Sequence, residues 1–322
     1  MKILVYDVAA EHGGALAILK NVYKYAVKHT EIDWVFVLSI VQFEQKPNIM
    51  IDNYVDVKKN WLNRIKFDKI DAPKIIKKYN PDIVLNMQNI ALKTEFSQVL
   101  YMHQSIPFAD YKFKIKDLHY WIYQNIIGGM IKYSFKYADK IIVQTNWIKN
   151  AILAQTKVNQ SKIEVQQPIV DLSQIKENTV ENKIYFYPAS ESIYKNHKVV
   201  VDACSLLSAN GYNNYKVIFT LHGNETKYIQ QLYNKSQREN LNIEWIGKIR
   251  IEDVYNLYAE SNLIFPSFIE TFGLPLLEAR TANAVIFASD TPFAREILDG
   301  YGKVEFFKYD DAEMLASLIK GF

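Results

Sequence analysis

The stretch "NLIFPSFIETFGLPLLEA", residues 262–279, is the one whose reading decides the fold. Its first six residues form a short apolar run closed by proline and serine, the pattern of a strand buried on both faces. Pro275 stands where a helix can begin, because proline suits the first helical turn and needs no N–H there. Between strand and helix lies a loop holding Glu270, Thr271, Phe272 and Gly273, with Leu274 at the helix opening. Gly273 allows a ligand close to the backbone, and the N–H groups around Gly273, Leu274 and Leu276 are expected to point at any anion above them. Glu278 falls about one turn into the helix, where it can accept hydrogen bonds from paired hydroxyls such as those of a ribose. Chemistry alone also allows a plain helix N-terminus with favourable carboxylates near its dipole.

Working outward, the same strand–loop–helix unit recurs along the chain. Runs at 2–8, 33–40, 82–87, 98–104 and 140–145 read as buried parallel strands, and so do 183–189, 215–223, 242–247, 262–267 and 284–289. Segments such as "GGALAILKNVYKYAVKH" and "DLHYWIYQNIIGGMIKYSFKYA" between them carry apolar residues at three- and four-residue spacing. That alternation predicts α/β, doubly wound sheets. Residues 171–182, "DLSQIKENTVEN", are polar and without period, the pattern of a linker. The expected organisation is an N-terminal Rossmann-like domain over 1–170 and a second over 183–322, facing a central cleft. Ligands in such sheets gather at the carboxyl ends of the strands.

Composition narrows the function classes. The chain has 322 residues, 49% of them hydrophobic, enough for two cores. A net charge of +3 gives no global reason to expect nucleic acid. The single cysteine, Cys204, lies in the apolar run "VVVDACSLL" and excludes an internal disulfide framework, which fits a reducing compartment. In the opening "MKILVYDVAA", Asp7 interrupts the apolar stretch, so a first strand is expected there rather than a signal peptide. No run approaches the roughly 18 apolar residues a membrane span needs, so a soluble or peripheral protein is expected.

"PSFIETFGLPLLEA", followed by "AVIFASDTPFAREIL", closely resembles the signature of glycosyltransferase family four, retaining enzymes of GT-B fold. That signature is a Glu-x7-Glu pair around a Phe-Gly-Leu-Pro turn, and Glu270 and Glu278 fall on its two glutamates. The resemblance implies that Glu278 binds the nucleotide ribose. It implies that Glu270, with the backbone of Thr271, Phe272, Gly273 and Leu274, holds the donor sugar and diphosphate. It is strong over about 183–298 and looser over the first 170 residues. Family members commonly continue with a terminal helix returning to the N-terminal domain, whereas this sequence stops at Phe322.

Three other strand ends carry candidates. In "YPASESIYKNHKVVVDA", 187–203, a helix is expected to start near Asn196, a good N-cap residue. Lys195 would then stand at a helix N-terminus, where its ammonium and nearby N–H groups can hold a diphosphate. The segment resembles the family element whose lysine neutralises the leaving diphosphate. Many members also carry an arginine several residues earlier. Here that loop offers Ser190, Glu191 and Ser192 instead, with Ser190 a hydrogen-bond donor in the arginine's place. Gly13 and Gly14, after the first strand, fit either a simple tight turn or, by resemblance, a loop facing donor diphosphate and acceptor. A lone histidine such as His103, at the end of 98–104, is more often structural than catalytic on the residues alone; the resemblance implies that it is presented to the donor sugar. His197 is expected to orient its loop.

Two further readings complete the expectation. Residues 57–80 hold eight Lys/Arg and two Asp, and 108–137 sets Tyr, Phe and Trp among lysines. These fit ordinary solvated faces or a surface drawn to anionic lipid headgroups. No Asp-x-Asp triplet and no Cys/His metal spacing occurs, so leaving-group charge is expected to fall to Lys195 and helix N-termini, with no metal and no cofactor. The resemblance therefore implies a cytoplasmic enzyme, soluble or peripheral at the inner face of the plasma membrane. It would move a sugar from a nucleotide-sugar, UDP favoured over GDP and dTDP, to a glycan or polyprenyl-linked saccharide acceptor. Capsule, exopolysaccharide or cell-wall glycan synthesis in a bacterium is the expected setting. The rivals are a non-catalytic GT-B partner subunit and a nucleotide-sugar epimerase of the same fold.

Overall fold

The computed structural model describes all residues except His12 and Asn60, and all side chains except theirs and those of Lys58, Trp61 and Leu62. The chain divides into two units, Met1–Ile169 and Val170–Phe322. The N-terminal unit has strands β1 (Lys2–Asp7), β2 (Asp33–Leu38), β3 (Ile49–Asn53), β4 (Ile83–Asn86), β5 (Ser97–Tyr101), β6 (Lys140–Val143) and β7 (Ile163–Val165). All pair in parallel, in the order β3-β2-β1-β4-β5-β6-β7. The alternate residues of β1 show why the strands read as unbroken apolar runs. Leu4 and Tyr6 enter a cluster with Val35, Val37 and Ile76, while Val5 enters another with Leu19, Phe36 and Leu38. Both faces are covered, so no polar alternation survives.

The C-terminal unit has β8 (Ile184–Tyr187), β9 (Lys216–Phe219), β10 (Ile243–Trp245), β11 (Asn262–Phe265), β12 (Ile286–Ser289) and β13 (Val304–Phe307). They form a parallel sheet in the order β10-β9-β8-β11-β12-β13. Every residue of β11 and β12 is buried. Both units are thus α/β and doubly wound. In each, chain direction across the sheet reverses beside the first strand, at β1/β4 and at β8/β11. Loops leaving the carboxyl ends of these neighbouring strands part there and open a crevice.

Three strands had no counterpart in the sequence reading: β3, β7 and β13. All lie at sheet edges. Their sequences, IMIDN, IEV and VEFF, mix exposed and buried positions instead of forming an apolar run. The helical pattern over 117–138 is one continuous helical course from Leu118 to Tyr137, widened to a π-turn over Tyr123–Ile127. It passes so close to Pro107 that a Cβ on Gly128 would lie 2.9 Å from the proline's Cβ. Only glycine fits that crossing without displacement.

The segment 171–182 is bonded to the C-terminal unit. The Asn178 side-chain amide donates to the carbonyls of Tyr258 (2.9 Å) and Ser261 (2.8 Å), and its backbone N–H donates to Ala282 O (2.6 Å).

Candidate functional site

The β8 and β11 loops meet at the C-terminal unit's point of reversal. After β11 the chain runs through Pro266 to Gly273 and enters the helix Leu274–Thr281. Gly273 has φ +94°, in the left-handed region that disfavours any side chain, and a Cβ there would meet Leu276 Cδ1 at 3.2 Å. This turn puts Glu270 before the helix and Glu278 inside it.

After β8, a 3-10 turn (Ile193–Lys195) leads into the helix His197–Ala209. Asn196 sits at the helix entry, but with φ 60° and without a side-chain capping bond. Its amide instead donates to Pro266 O (3.3 Å) and Tyr309 O (2.6 Å), which ties the two loops together. The Phe268 N–H donates to Tyr194 O at 3.1 Å, and the Tyr187 hydroxyl donates to Lys195 O at 2.7 Å. The lysine loop is therefore held by several bonds.

At the meeting point Lys195 Nζ lies 2.5 Å from Glu270 Oε1, and the Ser267 hydroxyl donates to that same oxygen at 2.8 Å. The side chains of Lys195 and Glu270 are only 18% and 14% exposed. Burial alone would lower the Lys195 pKa, but the Glu270 carboxylate and Tyr194 more than reverse this and hold the ammonium above its ordinary value. A lysine ammonium has three protons, so this pairing leaves donors for an anion. Among the described residues, no bond engages Glu270 Oε2.

Glu278 is 7% exposed, and the buried Tyr258 hydroxyl donates to its Oε2 at 2.8 Å. Burial raises the Glu278 pKa, and the tyrosine bond opposes that rise. Ser190 is exposed and Thr271 half-buried, while Phe272 is in the core. His197 is fully buried between Tyr187 and Phe219. Neither of its ring nitrogens has a hydrogen-bond partner among the described residues, so packing alone holds the ring. Burial, then the nearby Lys195 charge, drives its pKa down to about 3.

In the N-terminal unit the matching strand ends are also bonded to each other. Asp7, at the end of β1, accepts from the Gln88 side-chain amide (3.0 Å) and from the backbone N–H groups of Ala9 and Ala10. Gln88 in turn accepts from Arg64, which pairs with Asp68 at 2.9 Å. Gly13 and Gly14 open the helix Gly13–Lys28, Gly13 with φ +65°, and a Cβ on either would meet nothing within 4 Å. His103 follows β5; its backbone N–H donates to Asn89 Oδ1 at 2.6 Å and its ring lies 4.7 Å from that of Tyr101. Burial lowers its pKa to about 4, so the imidazole is neutral at physiological pH. A cavity of about 660 Å³ lies past the carboxyl end of β3, lined in part by Asn53, Tyr54, Asp56, Lys66, Asp71 and Lys74.

The sequence reading therefore named both carboxylates and the lysine, but missed Ser267 and Tyr258. Ser267 had a local signal, since it closes the strand run three residues before Glu270. Tyr258, 20 residues from Glu278 and on another helix, had none.

Comparison with known proteins places these features. Residues 171–322 match the family model Glycosyl transferases group 1. O-antigen chain mannosyltransferase B of Escherichia coli is 31% identical over 112 residues, which cover 34% of this chain and 29% of that protein. O-antigen chain mannosyltransferase RfbU of Salmonella typhimurium is 25% identical over 177 residues, 52% of this chain and 47% of that protein. The chain thus spans less than half the length of either relative. Among solved structures, Anabaena HepE in complex with UDP-glucose superposes with a TM-score of 0.72 at 15% identity, covering 100% of this chain and 89% of that one. The family match is confined to residues 171–322, just under half of the chain, and the two α/β units have the fold seen in GT-B glycosyltransferases.

Proposed function

We propose that the chain is a retaining glycosyltransferase that moves a sugar from a UDP-sugar to a hydroxyl of a glycan or lipid-linked acceptor, without a metal, in the synthesis of a bacterial surface polysaccharide. The observation that carries this reading is the Lys195–Glu270–Ser267 cluster beside the start of the helix that holds Glu278. In this reading the nucleoside diphosphate lies over the helix start. Glu278 accepts from the ribose hydroxyls through the oxygen that Tyr258 leaves unused. The sugar lies toward Glu270.

The glycosidic C–O bond to phosphate breaks, and its electron pair leaves with the diphosphate. The acceptor hydroxyl bonds to the anomeric carbon on the face being vacated, and its proton passes to the departing phosphate oxygen. Lys195 and the helix N-terminus stabilise the charge that develops, the kind of fixed electrostatic help that usually dominates such reactions. Glu270 holds the sugar and is not required as a base. The N-terminal unit supplies the acceptor site, and the cavity past β3, with its amide, charged and aromatic lining, supports a saccharide there.

The related O-antigen mannosyltransferases support a polysaccharide product, and the UDP-glucose complex of HepE supports a UDP donor. A thermal-shift series over UDP, GDP, dTDP and their sugars tests the reading. UDP at 100 times its Kd is expected to stabilise the fold by about 2.7 kcal/mol, and Glu270→Ala to abolish slow UDP-sugar hydrolysis. No shift with any nucleotide overturns the reading.

A further inference from the structure

The cavity past β3 carries a charge pattern that a neutral sugar does not use. One wall is the helical course Trp61–Tyr79, which widens to a π-turn over Phe67–Asp71, a feature that gathers at functional sites. Lys66, Phe67, Asp71 and Lys74 of this course line the cavity. Three other cations of the region are answered. Lys59 pairs with Asp56 at 2.8 Å, Arg64 with Asp68 at 2.9 Å and Lys77 with Glu95 at 3.9 Å. Lys66 and Lys74 are exposed, and among the described residues no hydrogen bond or ion pair engages either. They stand eight residues apart, close to two helical turns, so both reach the cavity from one side of the course.

The carboxylates nearby do not cancel them. Asp56 is taken by Lys59, and Asp52, behind the cavity, accepts from the hydroxyls of Tyr54 and Tyr79, each at 2.7 Å. Asp71 is half-buried, and no described residue engages its carboxylate. Among the described lining residues, two open ammonium groups therefore meet one open carboxylate. The rest of the lining suits a sugar ring. Tyr54 and Phe67 lie 5.1 Å apart, and the Tyr6 ring backs Phe67 at 6.4 Å. With its hydroxyl spent on Asp52, Tyr54 offers the cavity its carbon face. The Asn53 amide donates to Ser39 O (2.9 Å) and Val41 O (2.8 Å), which leaves its side-chain oxygen to accept from a hydroxyl. The volume, about 660 Å³, falls within the range of small-molecule sites.

We propose that this cavity takes an acidic saccharide, one whose ring carries a phosphate or a carboxylate. The ring lies on Tyr54 and Phe67, Asp71 and Asn53 accept from its hydroxyls, and Lys66 with Lys74 holds the anionic group. Two ammonium groups match the nearly double charge of a phosphate monoester better than the single charge of a uronate, so the phosphate is the tighter of the two. The inference deepens the acceptor half of the proposed function and rests on it for the occupant's role as acceptor.

The test is calorimetric titration of the full chain with glucose, glucuronate, glucose 6-phosphate and inorganic phosphate, each with and without saturating UDP. Both acidic sugars are expected to bind more tightly than glucose or inorganic phosphate, with or without UDP. Their order tells whether phosphate or carboxylate is preferred, and either order upholds the class. Lys66→Gln and Lys74→Gln are each expected to weaken glucose 6-phosphate about two- to fivefold and to leave glucose unchanged. Lys77→Gln, on the same helical course but outside the cavity lining, is expected to change neither. An unchanged melting temperature in all three variants shows that the fold is intact. The proposal is overturned if no acidic sugar binds, if glucose or inorganic phosphate binds as tightly, or if the Lys66 and Lys74 variants bind like wild type. It is also overturned if UDP displaces glucose 6-phosphate, which would assign that binding to the donor site. Lysine-dependent binding without any nucleotide shift would sink the donor reading alone, and the reverse result would sink this one alone.

Discussion

Tyr258 and Glu278 are joined by a 2.8 Å hydrogen bond in which the buried hydroxyl donates to the carboxylate's Oε2. Tyr258 is 1% exposed, so no water replaces this bond once it is removed. Burial raises the Glu278 pKa and the tyrosine restrains the rise. The folded protein therefore holds that proton to a higher pH than the unfolded chain, and stability falls as pH rises through the interval between the two pKa values. Tyr258→Phe widens that interval. Its cost is expected to be about 1.5–3 kcal/mol near neutral pH, the scale of hydrogen bonds to charged groups, and smaller in acid. Urea unfolding across pH checks this. The acid limit of UDP binding should move to higher pH in the same variant.

The Lys195–Glu270 pair predicts a non-additive pattern. Removing one partner leaves a mostly buried charge uncompensated. Lys195→Ala and Glu270→Ala are each expected to cost stability at the low end of the roughly 3–5 kcal/mol seen for such pairs, since both side chains keep some solvent contact. The double variant should cost clearly less than the sum. A double-mutant cycle by denaturant unfolding measures the coupling, and strict additivity would refute the pairing.

Gly273 and Gly13 both have positive φ but different surroundings. Gly13→Ala meets only backbone strain and is expected to cost about 1 kcal/mol. Gly273→Ala adds pressure on Leu276 and moves the helix start, so it should cost about 2 kcal/mol and also abolish the UDP-induced thermal shift. Calorimetry with and without UDP separates the two effects.

Fully buried His197 and half-buried His103 give the fold an acid sensitivity. Their folded pKa values, about 3 and about 4, lie below the ordinary 6.5, so the unfolded chain binds protons first as pH falls. Stability from this source is complete above pH 6.5 and is lost progressively below it. His197→Leu removes the titrating group while nearly keeping its volume. The melting temperature of that variant should fall less steeply between pH 6.5 and 4 than that of wild type.

The parts legible in the sequence were those where chemistry and backbone signals coincide locally. The apolar runs of β8, β11 and β12 announced buried parallel strands, and Gly273 with Pro275 announced the helix entry between the two glutamates. Edge strands β3, β7 and β13 were not legible, because half-exposed strands lose the unbroken apolar run. Asn196 was read as a helix cap from its residue type. Its side chain instead bonds across to the β11 loop and to Tyr309, partners fixed only by the sheet order. The same holds for Lys195 and Glu270, 75 residues apart: each was visible singly, and their contact follows from β8 lying next to β11.

Asn178 fixes where the C-terminal unit can be cut. A fragment beginning at Lys183 would strip the carbonyls of Tyr258 and Ser261 of their donor, at the end of the helix Ile251–Glu260 that aims the tyrosine at Glu278. Expression of this half as an independent piece should therefore start at Val170, and a shorter one would loosen the support of Glu278 from behind.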